Sequence, residues 1–164
     1  MVVAAKMKIL FLDIDGVLNS SDYRVHRYIG RTAEVTWDQA QIDPVAILIL
    51  NRIIETTGCF IVICSAWRTL HSRIELQEIL TARGFRGKIL GVTPDLPDKT
   101  RGDEIQAWLD NFIKLRKQVK KFAILDDLDE GHVSMGHLTS YLVQTSFENG
   151  LTNYEAERVI KLLE

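Results

Sequence analysis

The 164-residue sequence has only two cysteines, little net charge and no long apolar stretch near its start. Cys59 and Cys64 show neither Cys-x-x-Cys nor Cys/His spacing, so we expect small buried groups rather than a disulfide or a thiolate metal site. A net charge of −2 gives no overall field toward nucleic acid or membranes, so an anionic substrate must meet local positive charge. The start resembles neither a secretory signal nor a spanning helix, which predicts a cytoplasmic protein without a membrane partner.

The composition is that of an ordinary soluble globular protein, with 46% hydrophobic and 26% charged residues. A chain of this length can bury most of its apolar surface in one core. No repeat or low-complexity segment interrupts it. We therefore expect a single domain over residues 1–164.

Residues 9–19 carry the clearest chemical signal. The run from Ile9 to Leu12 is apolar without alternation, which is typical of a strand buried on both faces of a parallel sheet. It ends in Asp13 and Asp15, and Gly16 follows. Two carboxylates this close at the end of a buried strand repel each other and need a cation or a proton between them. Taken alone, such a pattern is more often a turn, so its meaning depends on the rest of the chain.

Further apolar runs alternate with helical patterns. The predicted strands are Cys59–Cys64, Lys88–Val92, Phe122–Leu125 and Leu138–Val143. Capping signals and apolar spacing predict helices from Asp43 to Gly58, from Ser72 to Gly84, from Gly102 to Val119 and from Thr152 onward. This alternation predicts an α/β fold with a doubly wound parallel sheet.

Polar groups recur where the predicted strands stop. Ser65-Ala66-Trp67-Arg68 follows the second strand, Asp126-Asp127 follows the fourth, and Lys99 and Arg101 lie at a predicted helix start. In open α/β sheets ligands bind at the carboxyl ends of the strands, so these groups are expected to share a site. A cation at a helix N-terminus costs about 0.3–1 kcal/mol unless an anion lies nearby. Arg101 is therefore expected to lie beside an anionic group, with Lys99 as the alternative.

Four motifs in this order resemble those of the haloacid dehalogenase (HAD)-like phosphohydrolase superfamily: Asp13-Ile14-Asp15-Gly16-Val17, Ser65, Arg101 and Asp126-Asp127. More narrowly, the chain resembles the small capless HAD domains of RNA-repair proteins, on the segments Ser65–Arg68, Gly91–Pro94, Arg101–Ile105 and Gly150–Thr152. The resemblance implies a Rossmann-like three-layer sandwich with a five-stranded parallel sheet in the order 5-4-1-2-3. It also implies no cap domain, since residues 17–42 have room only for a flap.

The resemblance also implies a role for each motif. Asp13 is the nucleophile that forms an aspartyl phosphate, and Asp15 protonates the leaving oxygen and then activates water. Ser65 and the backbone N–H groups of the following turn, at Ala66, bind the phosphoryl group. A Mg²⁺ cofactor is expected, because hard oxygen ligands suit it. The expected ligands are Asp13, the Asp15 backbone carbonyl, Asp126 and Asp127. Which of Asp126 and Asp127 contacts the metal is left open.

Several residues allow two interpretations. Trp67 and Arg68 could stack a nucleobase and grip a neighbouring phosphate, or Trp67 could pack against the next helix. The run from Lys114 to Lys121 resembles a nucleic-acid patch, but we interpret it as the basic C-terminus of a helix that ends far from Asp13. The basic residues of the flap could form a positive rim around the site, although a solvated loop is the simpler interpretation: Arg24, His26, Arg27 and Arg31. His132 and His137 receive no chemical role.

The predicted function is that of a capless Mg²⁺-dependent phosphatase working through an aspartyl phosphate. The expected substrate is a terminal phosphate of a nucleic acid or nucleotide, so nucleic acid ends are expected partners. One alternative is a phosphatase of phosphoproteins or small metabolites. Another, from a different class, is a non-catalytic phosphate-binding regulatory module. A monomer or weak dimer is expected.

Overall fold

The computed structural model describes residues 6–26, 34–115, 117–128 and 134–164. Arg27, Arg31 and His132, which were considered above, lie outside these residues, as does Arg116 of the basic run. No helix in the described ranges has both the length and the apolar character needed to cross a membrane.

Five parallel strands form one sheet, in the order β3-β2-β1-β4-β5. This is the predicted order read from the opposite edge. The first strand lies in the centre, as its unbroken apolar run predicts, because a strand covered on both faces needs no polar side. The strand bounds are β1 Lys6–Leu12, β2 Phe60–Ile63, β3 Ile89–Val92, β4 Gln118–Asp126 and β5 Leu142–Gln144.

Helices cover both faces of the sheet and complete the three-layer sandwich. Their bounds are α1 Ser21–His26, α2 Trp37–Gln41, α3 Pro44–Thr57, α4 Arg73–Thr81, α5 Arg101–Lys114 and α6 Asn153–Leu163. Alternate residues of β1 enter different cores. Leu10 and Leu12 pack with α3, α4 and α6, while Ile9 and Phe11 pack with α5. The predicted fold class is thus confirmed.

Side chains and glycines define the helix ends, and those at Asp43, Gly58, Ser72 and Thr152 lie where the sequence predicts. The Asp43 carboxylate accepts a hydrogen bond from the Val45 N–H, and Gly58 ends α3 in a left-handed conformation. Reciprocal capping boxes begin the next three long helices, because each N-cap hydroxyl and the side chain three residues later satisfy backbone N–H groups. These boxes pair Ser72 with Glu75, Thr100 with Asp103 and Thr152 with Glu155.

Two predicted boundaries were wrong. The helix expected to reach Val119 ends at Lys114, and β4 begins at Gln118. Pairing of Gln118 and Val119 with the start of β1 explains the difference, because sheet hydrogen bonds override a local helical preference. The fifth strand is also shorter than expected, since Gly136–Tyr141 forms a 3₁₀ helix before β5.

The described residues contain no cap domain. Between β1 and α3 they form only α1 and α2, and residues 27–33 of the expected flap are not described. Between β2 and α5 they form a short 3₁₀ turn, α4 and β3. The carboxyl edge of the sheet therefore has no folded unit over it in the described structure.

A loop near the C-terminus holds the turn after β1 in place. The Thr145 hydroxyl donates to the Gly16 carbonyl at 2.8 Å, and the Leu151 N–H donates to the Val17 carbonyl at 2.9 Å. The Ser21 N–H donates to the Phe147 carbonyl at 2.9 Å. These bonds fix the segment that carries the first acidic motif, so residues far apart in sequence determine its shape.

Gly150 is required at this contact for two reasons, and Gly58 provides a matched control. Both have positive φ values, but a Cβ at Gly150 would lie 2.9 Å from the Val17 carbonyl oxygen, whereas none of the described atoms lies within 4 Å of a Cβ at Gly58. Gly58→Ala should cost about 1–2 kcal/mol of unfolding free energy from backbone strain. Gly150→Ala should cost about 1–3 kcal/mol more from the added clash. Urea denaturation measures both, and equal losses would contradict the proposed contact.

Candidate active site

Three carboxylates meet at the carboxyl edge of the sheet. Asp13 follows β1 and Asp126 ends β4, and the Asp13 N–H donates to the Leu125 carbonyl at 2.9 Å, which continues the pairing of these strands. Together with Asp127, they offer oxygen atoms that all lie within 4.8 Å of one another. Asp13 and Asp126 are both buried. The two acidic motifs are therefore brought together as the sequence predicts.

Arg101 supplies positive charge to this cluster. It is the first residue of α5, and its Nη1 lies 2.9 Å from Asp126 Oδ2 and 3.4 Å from Asp13 Oδ1. Lys99, the other candidate, is exposed and lines a neighbouring cavity of about 560 Å³. Of the two cations left open by the sequence, Arg101 is the one in contact with the acidic groups.

The buried carboxylates hold their protons more tightly than free aspartates. Burial, with the Asp13 charge adding to it, raises the pKa of Asp126 to about 7, although Arg101 opposes the rise. Burial also raises the pKa of Asp13, while Arg101 and hydrogen bonds from Ile14 and Ser65 oppose that rise. A single guanidinium thus does not compensate this much buried negative charge.

Gly16 makes room for the Asp127 carboxylate as well as turning the chain. It has a φ of +71°, and a Cβ placed on it would lie 1.9 Å from Asp127 Oδ2. Any larger residue would push this carboxylate away from the cluster. The glycine of the first motif therefore has a steric role that its place in a turn alone would not indicate.

Asp15 is held by three donors from different parts of the chain. Its Oδ1 accepts from Asn19 Nδ2 at 2.7 Å and from Arg24 Nη2 at 2.8 Å, and its Oδ2 accepts from Trp67 Nε1 at 3.1 Å. Arg24 also lies over the Phe147 ring, with its Cζ 5.3 Å from the ring centroid. Both oxygens of the carboxylate are thereby oriented.

The sequence interpretation did not identify Asn19, and for Arg24 it left open a positive rim of the site or, more simply, a solvated loop. Asn19 is fully buried, and its Oδ1 accepts from the Gly16 N–H at 3.0 Å. A polar residue directly after Val17 and Leu18, four positions beyond Asp15, was the available signal. Arg24 carried no comparable signal, because only the folded turn brings it to Asp15.

The nucleobase-stacking interpretation of Trp67 is wrong. Its ring is 8% exposed and packs in the core beneath α4, and only its N–H reaches the site. This agrees with the alternative that the sequence left open, in which Trp67 packs inside the protein. A buried ring has no free face on which a base could stack.

The phosphate-gripping interpretation of Arg68 is also wrong. Its guanidinium donates to the carbonyls of four residues and to the Glu104 carboxylate, which lies 2.7 Å from its Nη2. The four carbonyls belong to Cys64, Ser65, Thr93 and Pro94. These bonds account for all five N–H groups of an arginine, so none remains for a phosphate.

Arg68 and Glu104 together connect the loop after β2 to α5. Their side chains are 6% and 8% exposed, and Glu104 Oε1 also accepts from the Leu96 N–H at 3.0 Å. Because Glu104 lies one helical turn after Arg101, this pair fixes the helix end that presents Arg101. Sequence reasoning missed Glu104, although it belongs to the quoted Arg101–Ile105 segment.

Ser65 and Ala66 lie where the second motif was expected. The Ser65 side chain is fully buried, and its hydroxyl lies close enough to Asp13 to oppose the rise in the pKa of that carboxyl. It also accepts from the Trp67 N–H at 3.3 Å, which caps the 3₁₀ turn Ala66–Thr69. Ala66 is exposed and lines the same cavity as Arg101. The hydroxyl therefore reaches the acidic cluster, while the start of the turn faces the open side.

The remaining candidates lie away from the cluster. His137 Nε2 lies 2.8 Å from Gln106 Oε1 of α5, and His26 Nδ1 lies 2.8 Å from the Asp22 carbonyl oxygen. Lys120 and Lys121 lie near the start of β4, at the opposite end of the strand from Asp126. None of these groups belongs to the acidic cluster.

Comparison with protein families agrees with this geometry. A family model described as the HAD domain in Swiss Army Knife RNA repair proteins matches residues 9–156. The chain belongs to this family. Membership confirms the resemblance seen in the motifs and indicates a HAD-type phosphohydrolase in general terms, from a family that generally uses Mg²⁺. A comparison of this HAD domain with curated proteins gave no match, and neither did one with solved structures.

The raised pKa of Asp126 predicts a pH dependence of stability for the metal-free HAD domain. The folded carboxyl has a pKa of about 7 against an ordinary value of 3.8, so the folded state holds a proton that the unfolded state releases. The stabilisation that Asp126 adds to the folded state is fully present below about pH 4 and is lost as the pH rises through about 7. The free energy of unfolding, relative to that of Asp126→Asn, should fall over this interval by a few kcal/mol at most, at about 1.4 kcal/mol per pKa unit.

Chemical denaturation in a chelating buffer, repeated from pH 4 to pH 8, measures this difference. Asp110→Asn is the matched control, because Asp110 is exposed on α5 and lies outside the cluster. Its curve should run parallel to that of the unmodified protein. A parallel curve for Asp126→Asn as well would contradict the raised pKa.

Proposed function

We propose that this HAD domain is a Mg²⁺-dependent phosphatase that uses Asp13 as its nucleophile and releases a terminal phosphate from a nucleic acid or nucleotide. The observation that carries the proposal is the buried convergence of Asp13, Asp126 and Asp127 within 4.8 Å, beside Arg101. Slow phosphate ester hydrolysis requires a nucleophile, charge neutralisation and proton transfer at one place.

The residues present fit a magnesium ion. Three carboxylates form a hard, all-oxygen donor set, which suits Mg²⁺ better than zinc. Burial, with the Asp13 charge adding to it, raises the pKa of Asp126, so the protein itself does not fully stabilise the charged carboxylate. Asp13, Asp126, Asp127 and the Asp15 backbone carbonyl would hold the ion, which would supply positive charge to the phosphoryl oxygens.

The protein's own groups divide the chemical work. An Asp13 carboxylate oxygen bonds to phosphorus while the bond from phosphorus to the leaving oxygen breaks, and Asp15 transfers a proton to that oxygen. Water then attacks the aspartyl phosphate and gives its proton to Asp15, which restores Asp13 and releases phosphate. Arg101 and Ser65 bind the phosphoryl oxygens through both steps. Trp67, Asn19 and Arg24 are positioning residues that orient Asp15.

The open carboxyl edge supports a large substrate whose phosphate is presented at an end. The described residues place no cap over the site, and the adjoining cavity leaves room beside the cluster for a neighbouring unit of the substrate. The charged groups that line this cavity are Arg68, Lys99, Arg101, Asp95 and Glu104. The family's description as RNA repair proteins supports a nucleic acid end as that substrate. With Trp67 and Arg68 engaged inside the protein, recognition depends on phosphates rather than on base stacking.

Asp13→Asn tests the nucleophile directly. Hydrolysis of p-nitrophenyl phosphate with Mg²⁺ should fall by at least about a thousandfold, because an amide cannot accept the phosphoryl group. The unmodified protein should hydrolyse a 3′-phosphorylated oligonucleotide with a higher kcat/KM than a sugar phosphate or a phosphopeptide. Activity that survives Asp13→Asn or needs no divalent ion would refute the mechanism. Preference for phosphopeptides or metabolites would refute only the substrate assignment.

Trp67→Phe tests the orientation of Asp15, since it keeps an aromatic ring in the core but removes the donor to Asp15 Oδ2. Loss of one hydrogen bond should lower kcat/KM about tenfold for a 3′-phosphorylated oligonucleotide, whose alkoxide must be protonated. For p-nitrophenyl phosphate, whose leaving group needs no proton, the loss should stay below about twofold. Equal losses on both substrates would indicate general damage to packing and contradict this role.

A further inference from the structure

The first part of β4 has an open edge. β4 is nine residues long, but β5 pairs only with Ile124, Leu125 and Asp126. Gln118–Ala123 therefore has β1 on one side and, among the described residues, no strand on the other. Unpaired backbone N–H and C=O groups along such an edge can pair with another extended chain.

A groove of about 560 Å³ gives access to this edge. Four consecutive residues of β4, Val119–Phe122, line it. The groove is also lined by Leu109 and Leu138 from the core on one face of the sheet and by Leu162 from the other face, so it meets the strand at its edge. Helices on both faces of the sheet supply the apolar walls of the groove. These walls are Leu109 and Ile113 of α5, Leu138 and Tyr141 of the 3₁₀ helix, and Leu162 of α6.

The groove is positively charged as well as apolar. Lys120 and Lys121 are exposed and line it, and an adjoining cavity of about 310 Å³ shares Lys120 and adds Lys6 and Lys117. No aspartate or glutamate is among the described residues that line either cavity. In a chain of net charge −2, this concentrates positive charge at the amino end of the sheet.

We propose that this groove is a docking site for an extended, acidic segment of a partner protein, which pairs with β4 as an added strand. Apolar side chains at alternate positions of the segment would enter the groove, and its carboxylates would face the lysines. The lysines also exclude an alternative partner, because they would repel the same edge of a second copy of this chain.

The lining favours a peptide over a nucleic acid. Surfaces that bind single strands combine positive charge with free aromatic faces on which bases stack. Among the described residues that line the groove, the Tyr141 ring already stacks on Phe122, with centroids 4.2 Å apart. Exposed aliphatic groups such as Ile113 and a row of backbone donors and acceptors instead match an extended peptide.

Docking here would leave the active site accessible. From Gln118 to Asp126 the strand spans about 26 Å, at about 3.3 Å per residue. The groove and the acidic cluster therefore lie at opposite ends of β4. A partner could hold the HAD domain while the carboxyl edge of the sheet remains open to its substrate.

Fluorescence anisotropy with a synthetic peptide tests the proposal. The probe is a fluorescein-labelled peptide of nine residues, matching the length of β4, in which glutamate alternates with valine or leucine. It should bind more weakly as salt is raised, because the contacts are between exposed charges. Reversing both lysines in Lys120→Glu/Lys121→Glu should weaken binding at least about tenfold.

Lys88→Glu is the matched control, since Lys88 is exposed at the same end of the sheet but lines neither cavity. It should leave peptide affinity unchanged. The double variant should keep its hydrolysis of p-nitrophenyl phosphate, since both lysines lie outside the catalytic groups. The binding measurement needs no turnover, so failure of docking and failure of the proposed phosphatase are distinguishable.

Three results would overturn the docking proposal. The first is no binding of the acidic peptide at low salt. The second is equal binding of a peptide with proline at alternate positions, which cannot pair with a strand edge. The third is tighter binding of a single-stranded oligonucleotide, which would indicate a nucleic-acid surface instead.

Discussion

Mutual repulsion of buried carboxylates is the constraint on which this site depends. Parallel strands that end side by side carry Asp13 and Asp126 to the same edge, and Asp127 adds a third carboxylate within 4.8 Å. Water would weaken this repulsion, but two of the three groups are buried. The positive charge of Arg101 compensates part of this repulsion, and the raised pKa of Asp126 allows that carboxyl to keep a proton. The same excess of negative charge makes the edge suitable for a divalent cation.

Two arginines illustrate how the fold assigns different roles to the same side chain. Arg101 begins α5 and keeps its contacts with the carboxylates of the cluster. Arg68 lies inside the protein, where carbonyl groups and Glu104 use all of its donors. The buried pair holds α5 against the loop that carries Ser65, so it supports the cation that reaches the site. The fixed backbone keeps the Arg101 guanidinium in place against the carboxylates.

The strand order could be predicted only through the resemblance to the HAD-like family. The helix caps and the meeting of the acidic motifs could be predicted from local patterns that tertiary structure reinforces. Ile9–Leu12 is apolar throughout and occupies the centre of the sheet. The boundary between α5 and β4 could not be predicted in the same way. Its lysines favour a helix locally, whereas pairing of Gln118 and Val119 with β1 depends on residues more than a hundred positions away.

By itself, the sequence determined the family, the α/β order and the acidic residues of the site, since these follow from short motifs and from the period of apolar residues. Only the tertiary structure decided that Trp67 is buried and donates to Asp15, and that Arg24 donates to the same carboxylate. It also decided that Arg68 is unavailable to a substrate. A side chain's polar partners depend on which distant backbone groups the packed core brings near it. That information lies in the arrangement of strands and helices rather than in the neighbouring letters of the chain.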